Sequence, residues 1–419
     1  MTPDALDALI SEGLGRCGLA AGERVLLIVP DTTRTAPVAL LTRIACRNLW
    51  DLGCGVDLMV ALGTHPPLRR EDLLRHLGLT EAECASRADR LRLRHHRWDD
   101  PSQLCAIGRL SANRVGELTG GLMAEAVTLT VNTAVRDCGR VVIIGPVFPH
   151  EIAGFSGGSK YLFPGISGPQ ITDFFHWLGA VIGNLRIIGR ADNPVRRVLD
   201  AAAAMMPVPV TAVSLVVSGG EVVHCSVGPL PQSWRPAAEE SARRHVVRTP
   251  RRYRRVLACA PAMYDDLWTG AKCMYKCEPV VEDGGELIIY APHVASFSVT
   301  HGRLIEQTGY HLRDHFLQHM ERYAGVSRTV LAYLALVKGA GVCAGGVERP
   351  RIRVSVASGI SRQACERAGI GYADPASIRL DEWRGREEEG VLLVEKAGET
   401  LYLPRDEGLR GADGKEAGT

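Results

Sequence analysis

Short apolar runs, closed by proline, glycine, a charge or a small polar residue, recur along this chain, and segments of helical period separate them. Val25-Leu-Leu-Ile-Val29 stops at Pro30. Asp57 to Leu62, Ala126 to Val131, Val141 to Ile144 and Val210 to Val217 repeat the pattern. So do Val256 to Ala260, Glu286 to Ala291, Ile352 to Ala357 and Gly390 to Glu395. Apolar runs of roughly four to eight residues bounded by turn formers predict buried strands. The opening MTPDALDALISEGLG reads as a surface helix. Pro37 can open a helix that extends to about Leu52, because the first helical turn needs no partner for its missing N–H. Further helices are expected after Pro169, near Asn193 to Arg196, over Asp265 to Val281 and over Val299 to His319. Alternation of this kind predicts an α/β fold with parallel sheets. No internal repeat is visible.

A length of 419 residues points to two domains. The basic stretch from Arg243 to Arg255 is the sharpest change in composition, and it reads as a solvated linker. The expected division is an N-terminal α/β domain over 1–250 and a C-terminal α/β domain over 251–419, with the active site in the cleft between them. The last residues would be free to pack back on the first domain, and 411–419 should be disordered. A net charge of +2 argues against nucleic acid or an anionic membrane as the partner. No run reaches the ~18 apolar residues of a membrane span. Twelve cysteines without a CxxC pair suit reduced thiols and a cytoplasmic location.

Polar residues of chemical interest sit just after the predicted strand ends. Asp31 and Arg34 follow the first, His65 the second and His150 the run at Val141 to Ile144. Ligands of open parallel sheets bind at such ends. The stretch His150 to His176 is the densest: HEIAGFSGGSKYLFPGISGPQITDFFH. Gly157 and Gly158 suit a backbone that passes close to something bulky, since glycine has no Cβ and accepts positive φ. Lys160 follows them, and His176 falls on the helix after Pro169. A strand, a glycine loop with a lysine and a helix together form the layout of a cofactor or phosphate site. A glycine-rich surface loop is the alternative for the GGxK taken alone. His311, His315 and His319 recur at i, i+4 and i+8, a spacing that can hold a metal. With no cysteine or carboxylate evidently placed to complete that set, a polar helix face is the expectation there.

The motifs DTTRTAP at 31–37, GTH at 63–65 and His150, GFSGGSK ending at Lys160, then His176, resemble the nickel-dependent lactate racemase family. The resemblance covers most of the chain, with its specific motifs between residues 30 and 180. It implies a nickel-pincer nucleotide, a pyridinium mononucleotide with two thiocarboxyl arms, linked covalently at Lys160. It implies His176 as the protein ligand to nickel, His65 and His150 as the catalytic pair, and Arg34 with Asp31 beside it at the substrate carboxylate. Lys272 matches a further substrate-facing lysine, with Trp268 and Thr269 before it. Where the lactate enzymes have glutamine, this chain has Thr269, which points away from lactate and toward a larger substrate such as a sugar acid.

These residue types suit racemisation of a 2-hydroxy acid by reversible hydride transfer. Imidazole can act as base or acid near neutral pH, and a guanidinium pairs bidentately with a carboxylate. The expected partners are a small 2-hydroxy acid and the cofactor-synthesis enzymes. Two other readings remain open on the residues alone. One is a lyase using Lys160 as a Schiff base or its loop as a phosphate cradle; the other is a non-catalytic binding protein of the same fold.

Overall fold

The computed structural model describes residues 1–405, so the stretch 411–419, expected to be disordered, lies outside the described residues. The chain is mixed α/β and divides into two compact units. Unit 1 comprises 1–148, 156–172 and 196–244. Unit 2 comprises 149–155, 173–195 and the chain from His245 onward. The final passage from unit 1 to unit 2, between Arg244 and His245, falls within the basic stretch.

Unit 1 is built on a six-stranded sheet. Its strands are β1 (Arg24–Pro30), β2 (Gly55–Ala61), β3 (Leu91–Arg94), β4 (Arg140–Pro146), β5 (Val210–Ser218) and β6 (Glu221–Pro229), in the order β6-β5-β4-β1-β2-β3. All neighbours are parallel except β5 and β6. The chain runs from β1 outward to β3 and then returns to the other side of β1 to make β4. That reversal separates the loops after β1 and β4 and opens a crevice at their carboxyl ends. Val25, Leu27, Val29, Val56, Leu58, Val142 and Ile144 share one buried cluster with Leu6, Ile10 and Leu14 of the N-terminal helix Pro3–Gly15. The i, i+4, i+8 spacing of those three makes this helix amphipathic. Thr2 caps it and Pro3 starts it. The run Ala126 to Val131 departs from expectation in one respect. Its strand, Val127–Asn132, pairs antiparallel with Leu104–Leu110 and stays out of the main sheet.

Unit 2 repeats the plan with five parallel strands: β7 (Tyr253–Cys259), β8 (Val281–Ala291), β9 (Arg353–Ser358), β10 (Gly371–Tyr372) and β11 (Val391–Val394), ordered β10-β9-β8-β7-β11. Here too the order reverses beside the first strand, between β7 and β11. The expected linker is structured. Val246–Thr249 forms a strand parallel to Leu401–Pro404, because its β-branched residues outweigh the flanking arginines. The helix expected over Val299 to His319 is two helices, Gly302–Thr308 and Arg313–Gln318. Gly309, at φ +80°, ends the first of them. The helix expected over Asp265 to Val281 is broken into Leu267–Gly270, Lys272–Cys277 and a terminal 3-10 turn.

Candidate active site

In unit 1 the neighbouring strands β4, β1, β2 and β3 end on one edge of the sheet, and each is followed by a candidate side chain. Asp31 leaves β1 nearly buried. Its Oδ1 accepts from the Thr33 N–H at 3.2 Å and the Thr33 hydroxyl at 2.8 Å. Its Oδ2 lies 2.8 Å from Nδ1 of His65, which follows β2. Sequence reasoning put Asp31 beside Arg34 at the substrate, and its hydrogen bonds tie it to Thr33 and His65. With Nδ1–H held by a carboxylate, the lone pair of His65 is on Nε2. Arg34 has Nη1 3.3 Å from Thr33 Oγ1. Behind them, burial pushes the Tyr161 phenol well above its usual range, with Arg34 pulling it down and Asp31 pushing it further up.

The lysine loop belongs to the same unit. Gly157 and Gly158 have φ of +77° and +58°. A Cβ on Gly157 would come 2.7 Å from Val147, and one on Gly158 would come 2.9 Å from the Trp234 ring. The bulky neighbours these glycines admit are therefore the chain's own side chains. Trp234 Nε1–H donates to Ser156 O at 2.8 Å, and Arg196 lies 4.1 Å over its ring while donating to Gly157 O at 3.3 Å. Burial brings Arg196 down to about 10 against the pull of Asp200, so it stays charged at neutral pH. Asp200 accepts from the Ser159 hydroxyl at 2.6 Å. Lys160, half-buried, is thus carried on a short turn fastened at Ser156, Gly157 and Ser159. Gly63, just before His65, donates to Gly165 O at 3.0 Å and ties the loop after β2 to the same segment.

Sequence reasoning missed His96, which follows β3 and is 1% exposed. Burial pushes its pKa down to about 4, so it is neutral at pH 7. The charged alternation of Leu91 to Arg94 concealed the strand that leads to it. The Arg196, Asp200 and Trp234 supports of the lysine loop were also missed, since nothing local in sequence links them to it.

Unit 2 holds the other candidates. His150 is on a two-residue strand, Pro149–His150, paired with Gly154–Phe155. Its Nδ1 accepts the Ile152 N–H at 3.1 Å, which puts the ring proton of the neutral form on Nε2. Glu151 lies 3.6 Å from that ring, and buried Lys276 lies 3.5 Å from Glu151. His176 is on the helix Pro169–Ile182, packed against Phe175. Its Nδ1 lies 3.4 Å from Thr329 Oγ1, which itself donates to Asp173 at 2.6 Å. Asp173 also accepts from Ser327 Oγ at 2.7 Å. Since Thr329 spends its proton on Asp173, it can accept Nδ1–H from His176, which puts the lone pair of the ring on Nε2. The i, i+3 spacing of Asp173 and His176 was the available signal for this support.

Trp268, Thr269 and Lys272 lie on the segment that follows β7, at the reversal in strand order. Trp268 stacks on Tyr333 at 4.1 Å, with the His301 ring 4.9 Å away. Lys272 Nζ lies 4.8 Å from the centre of the Tyr264 ring. Thr269, which stands in the glutamine's place, is held within its own helix. It is 4% exposed, and its hydroxyl donates to Asp266, the N-cap of its own helix, at 2.8 Å. Aspartate at an N-cap draws N–H and hydroxyl groups of the first turn inward. The room lies instead beside Gly270, where a Cβ would find no atom nearer than 3.9 Å.

Residues 4–184 match the model of the lactate racemase N-terminal domain family. A crystal structure of a protein from Thermotoga maritima is similar over 97% of this chain and 99% of its own, with TM-score 0.87 and 27% identity. The lactate racemase apoprotein from Thermoanaerobacterium thermosaccharolyticum is similar over 95% of this chain and 92% of its own, with TM-score 0.69 and 16% identity, a likeness of fold. No curated protein matches the chain.

Proposed function

We propose that this chain, whose residues 4–184 match the lactate racemase N-terminal domain family, is an isomerase that inverts carbon 2 of a 2-hydroxy acid. The observation that carries the reading is the 2.8 Å contact between Asp31 and His65. It fixes one imidazole with its base nitrogen exposed beyond a carboxylate, as proton transfer from a hydroxyl requires.

Arg34 binds the substrate carboxylate through its planar fork. As the carbon-2 hydrogen leaves with its electron pair, the hydroxyl proton must leave too, and Nε2 of His65 accepts it. His150 has the opposite tautomer, with its proton on Nε2, and is suited to donate a hydrogen bond to the substrate oxygen. The pair thus supplies one base and one hydrogen-bond donor before either enantiomer binds. Lys272 adds a cation for further oxygens, and Trp268 gives a flat wall. Asp31 acts through His65 as a positioning residue, and Thr269 through its helix.

The residues fit a nickel-pincer nucleotide. His176, held at Nδ1, offers a neutral Nε2 donor of the kind nickel takes. Lys160 would carry the group covalently, on the turn that Gly157 and Gly158 begin. Once bound, it would supply a reversible hydride acceptor. A sugar acid is the favoured substrate, because space beside Gly270 and the Lys272 cation suit added hydroxyls. A site built around hydroxyls discriminates strongly against analogues that lack them.

The test is to mature the protein with the cofactor-synthesis enzymes and follow loss of optical purity in a panel of chiral 2-hydroxy acids. Peptide mass should show an addition on the peptide containing Lys160. Lys160→Ala should remove both that mass and turnover. An alanine variant that racemises at the parent rate defeats the assignment. Faster turnover of lactate than of aldonic acids would remove the sugar-acid reading and leave the racemase reading intact.

A further inference from the structure

A second cluster of ligating side chains lies in unit 2, in a region the reaction above does not use. His311 precedes the helix Arg313–Gln318, His315 is within it, and Glu348 is on the hairpin formed by Gly341–Ala344 and Val347–Pro350. One ligand atom from each of the three lies within 4.8 Å of the others. The carboxylate absent from the sequence pattern is therefore present, contributed from 33 residues beyond His315.

Both imidazoles turn the same nitrogen to the same oxygen. Nδ1 of His311 is 2.6 Å from Glu348 Oε1, and Nδ1 of His315 is 3.7 Å from it. The two rings stack at 4.0 Å and 11°, so their Nδ1 edges point together. Outer partners hold the set in place. Tyr323 hydroxyl lies 3.0 Å from Nε2 of His315, and the Leu312 N–H donates to Glu348 Oε2. In the tautomer that gives Nε2–H to Tyr323, Nδ1 of His315 is a lone pair facing a carboxylate oxygen 3.7 Å away, too far for a hydrogen bond. A cation between them would turn an acceptor facing an acceptor into two bonds. Two ligands about 2.1 Å from a tetrahedral ion lie about 3.4 Å apart, and the observed separations lie on either side of that value. His319 is exposed, with its ring 4.8 Å from that of His315, outside the set.

We propose that His311, His315 and Glu348 bind one divalent transition-metal ion of the zinc class. Two neutral imidazoles and one carboxylate suit such an ion better than magnesium or calcium, which prefer all-oxygen ligands. Side-chain exposures of 14–30% leave the remaining position to water. The ion would staple the hairpin to the helix, with Tyr323 and Leu312 orienting the ligands.

The test uses the full chain stripped with chelator and dialysed against Zn2+, with metal per chain measured by mass spectrometry. One ion per chain is expected, with affinity falling by at least about 100-fold in Glu348→Gln and in His315→Ala, since ligand loss exceeds the effect of outer-shell loss. His319→Ala and His176→Ala should bind as the parent does. A parent chain that takes up no stoichiometric Zn2+, or a Glu348→Gln variant that binds undiminished, overturns the proposal. Should the ligand variants not fold, Co2+ added to the unaltered chain decides, because bound Co2+ gives d–d absorption bands and their absence overturns the proposal equally.

Discussion

Asparagine at position 31 would keep the shape of the side chain and lose the base. The Thr33 N–H and hydroxyl both donate to one oxygen of Asp31, so an asparagine would turn its carbonyl to Thr33 and its NH2 to His65. The NH2 would donate to Nδ1 and move the ring proton to Nε2, the wrong tautomer for a base. Asp31→Asn is expected to lower kcat about 10²- to 10⁴-fold, as wrong tautomers do elsewhere, with little change in Tm. Single-turnover rates beside a melting curve would check it. Asp31 and His65 were both legible in sequence as residues after strand ends. Their contact was not, because 34 residues separate them and only the parallel register of β1 and β2 brings them side by side. His96 makes a second prediction. Unfolded, its imidazole protonates near its ordinary 6.5; folded, burial holds it neutral down to about 4. The unfolded chain therefore binds the extra proton in that window. Stability is full above about pH 6.5 and falls by about 3 kcal/mol as pH drops to about 4. Urea unfolding at pH 7 and 4.5 should show this loss shrinking in His96→Leu.

Among the elements, two glycines of similar sequence appearance should respond to alanine with opposite sign. Gly270 ends a short helix with ordinary φ and open space beside it. Gly270→Ala should stabilise the chain by about 0.4–1 kcal/mol, because alanine restricts the unfolded state. Gly158 has φ +58° and the Trp234 ring 2.9 Å from a would-be Cβ. Gly158→Ala should cost more than about 1 kcal/mol through left-handed strain alone. Chemical denaturation of the two variants checks both signs, and equal effects would refute the packing described. Element type was largely legible. The strands of the main sheet from Val25, Asp57, Val141 and Val210 begin within two residues of the apolar runs. Caps and breaks were less so. Periodicity carried one helix through Gly309, where a positive φ ends it, and the Asp266 cap that engages the Thr269 hydroxyl had no mark in the periodicity.

For the whole molecule, the sequence reading set one boundary near 250, whereas the two compact units alternate several times along the chain. The chain changes unit at 148/149, 155/156, 172/173, 195/196 and 244/245. Composition marks only the last of these, because the others run through well-packed helix and strand. A fragment beginning at His245 should fail to unfold cooperatively in urea. It would lack Asn184, whose amide donates to Tyr275 O and to buried Glu278, a carboxyl that burial already pushes upward. It would also lack Asp173, which receives Ser327 and Thr329. Cooperative folding of that fragment would contradict the interleaved arrangement.

The same interleaving governs how this chain can be shuffled with its structural relatives. A chimera made by one crossover at residue 184, where the family match ends, would take the Pro169–Ile182 helix from one parent and Ser327 and Thr329 from the other. Its histidine would then rest on a hydroxyl that evolved with a different helix. A chimera that respects the folded units must exchange 149–155, 173–195 and the chain from 245 as one linked set.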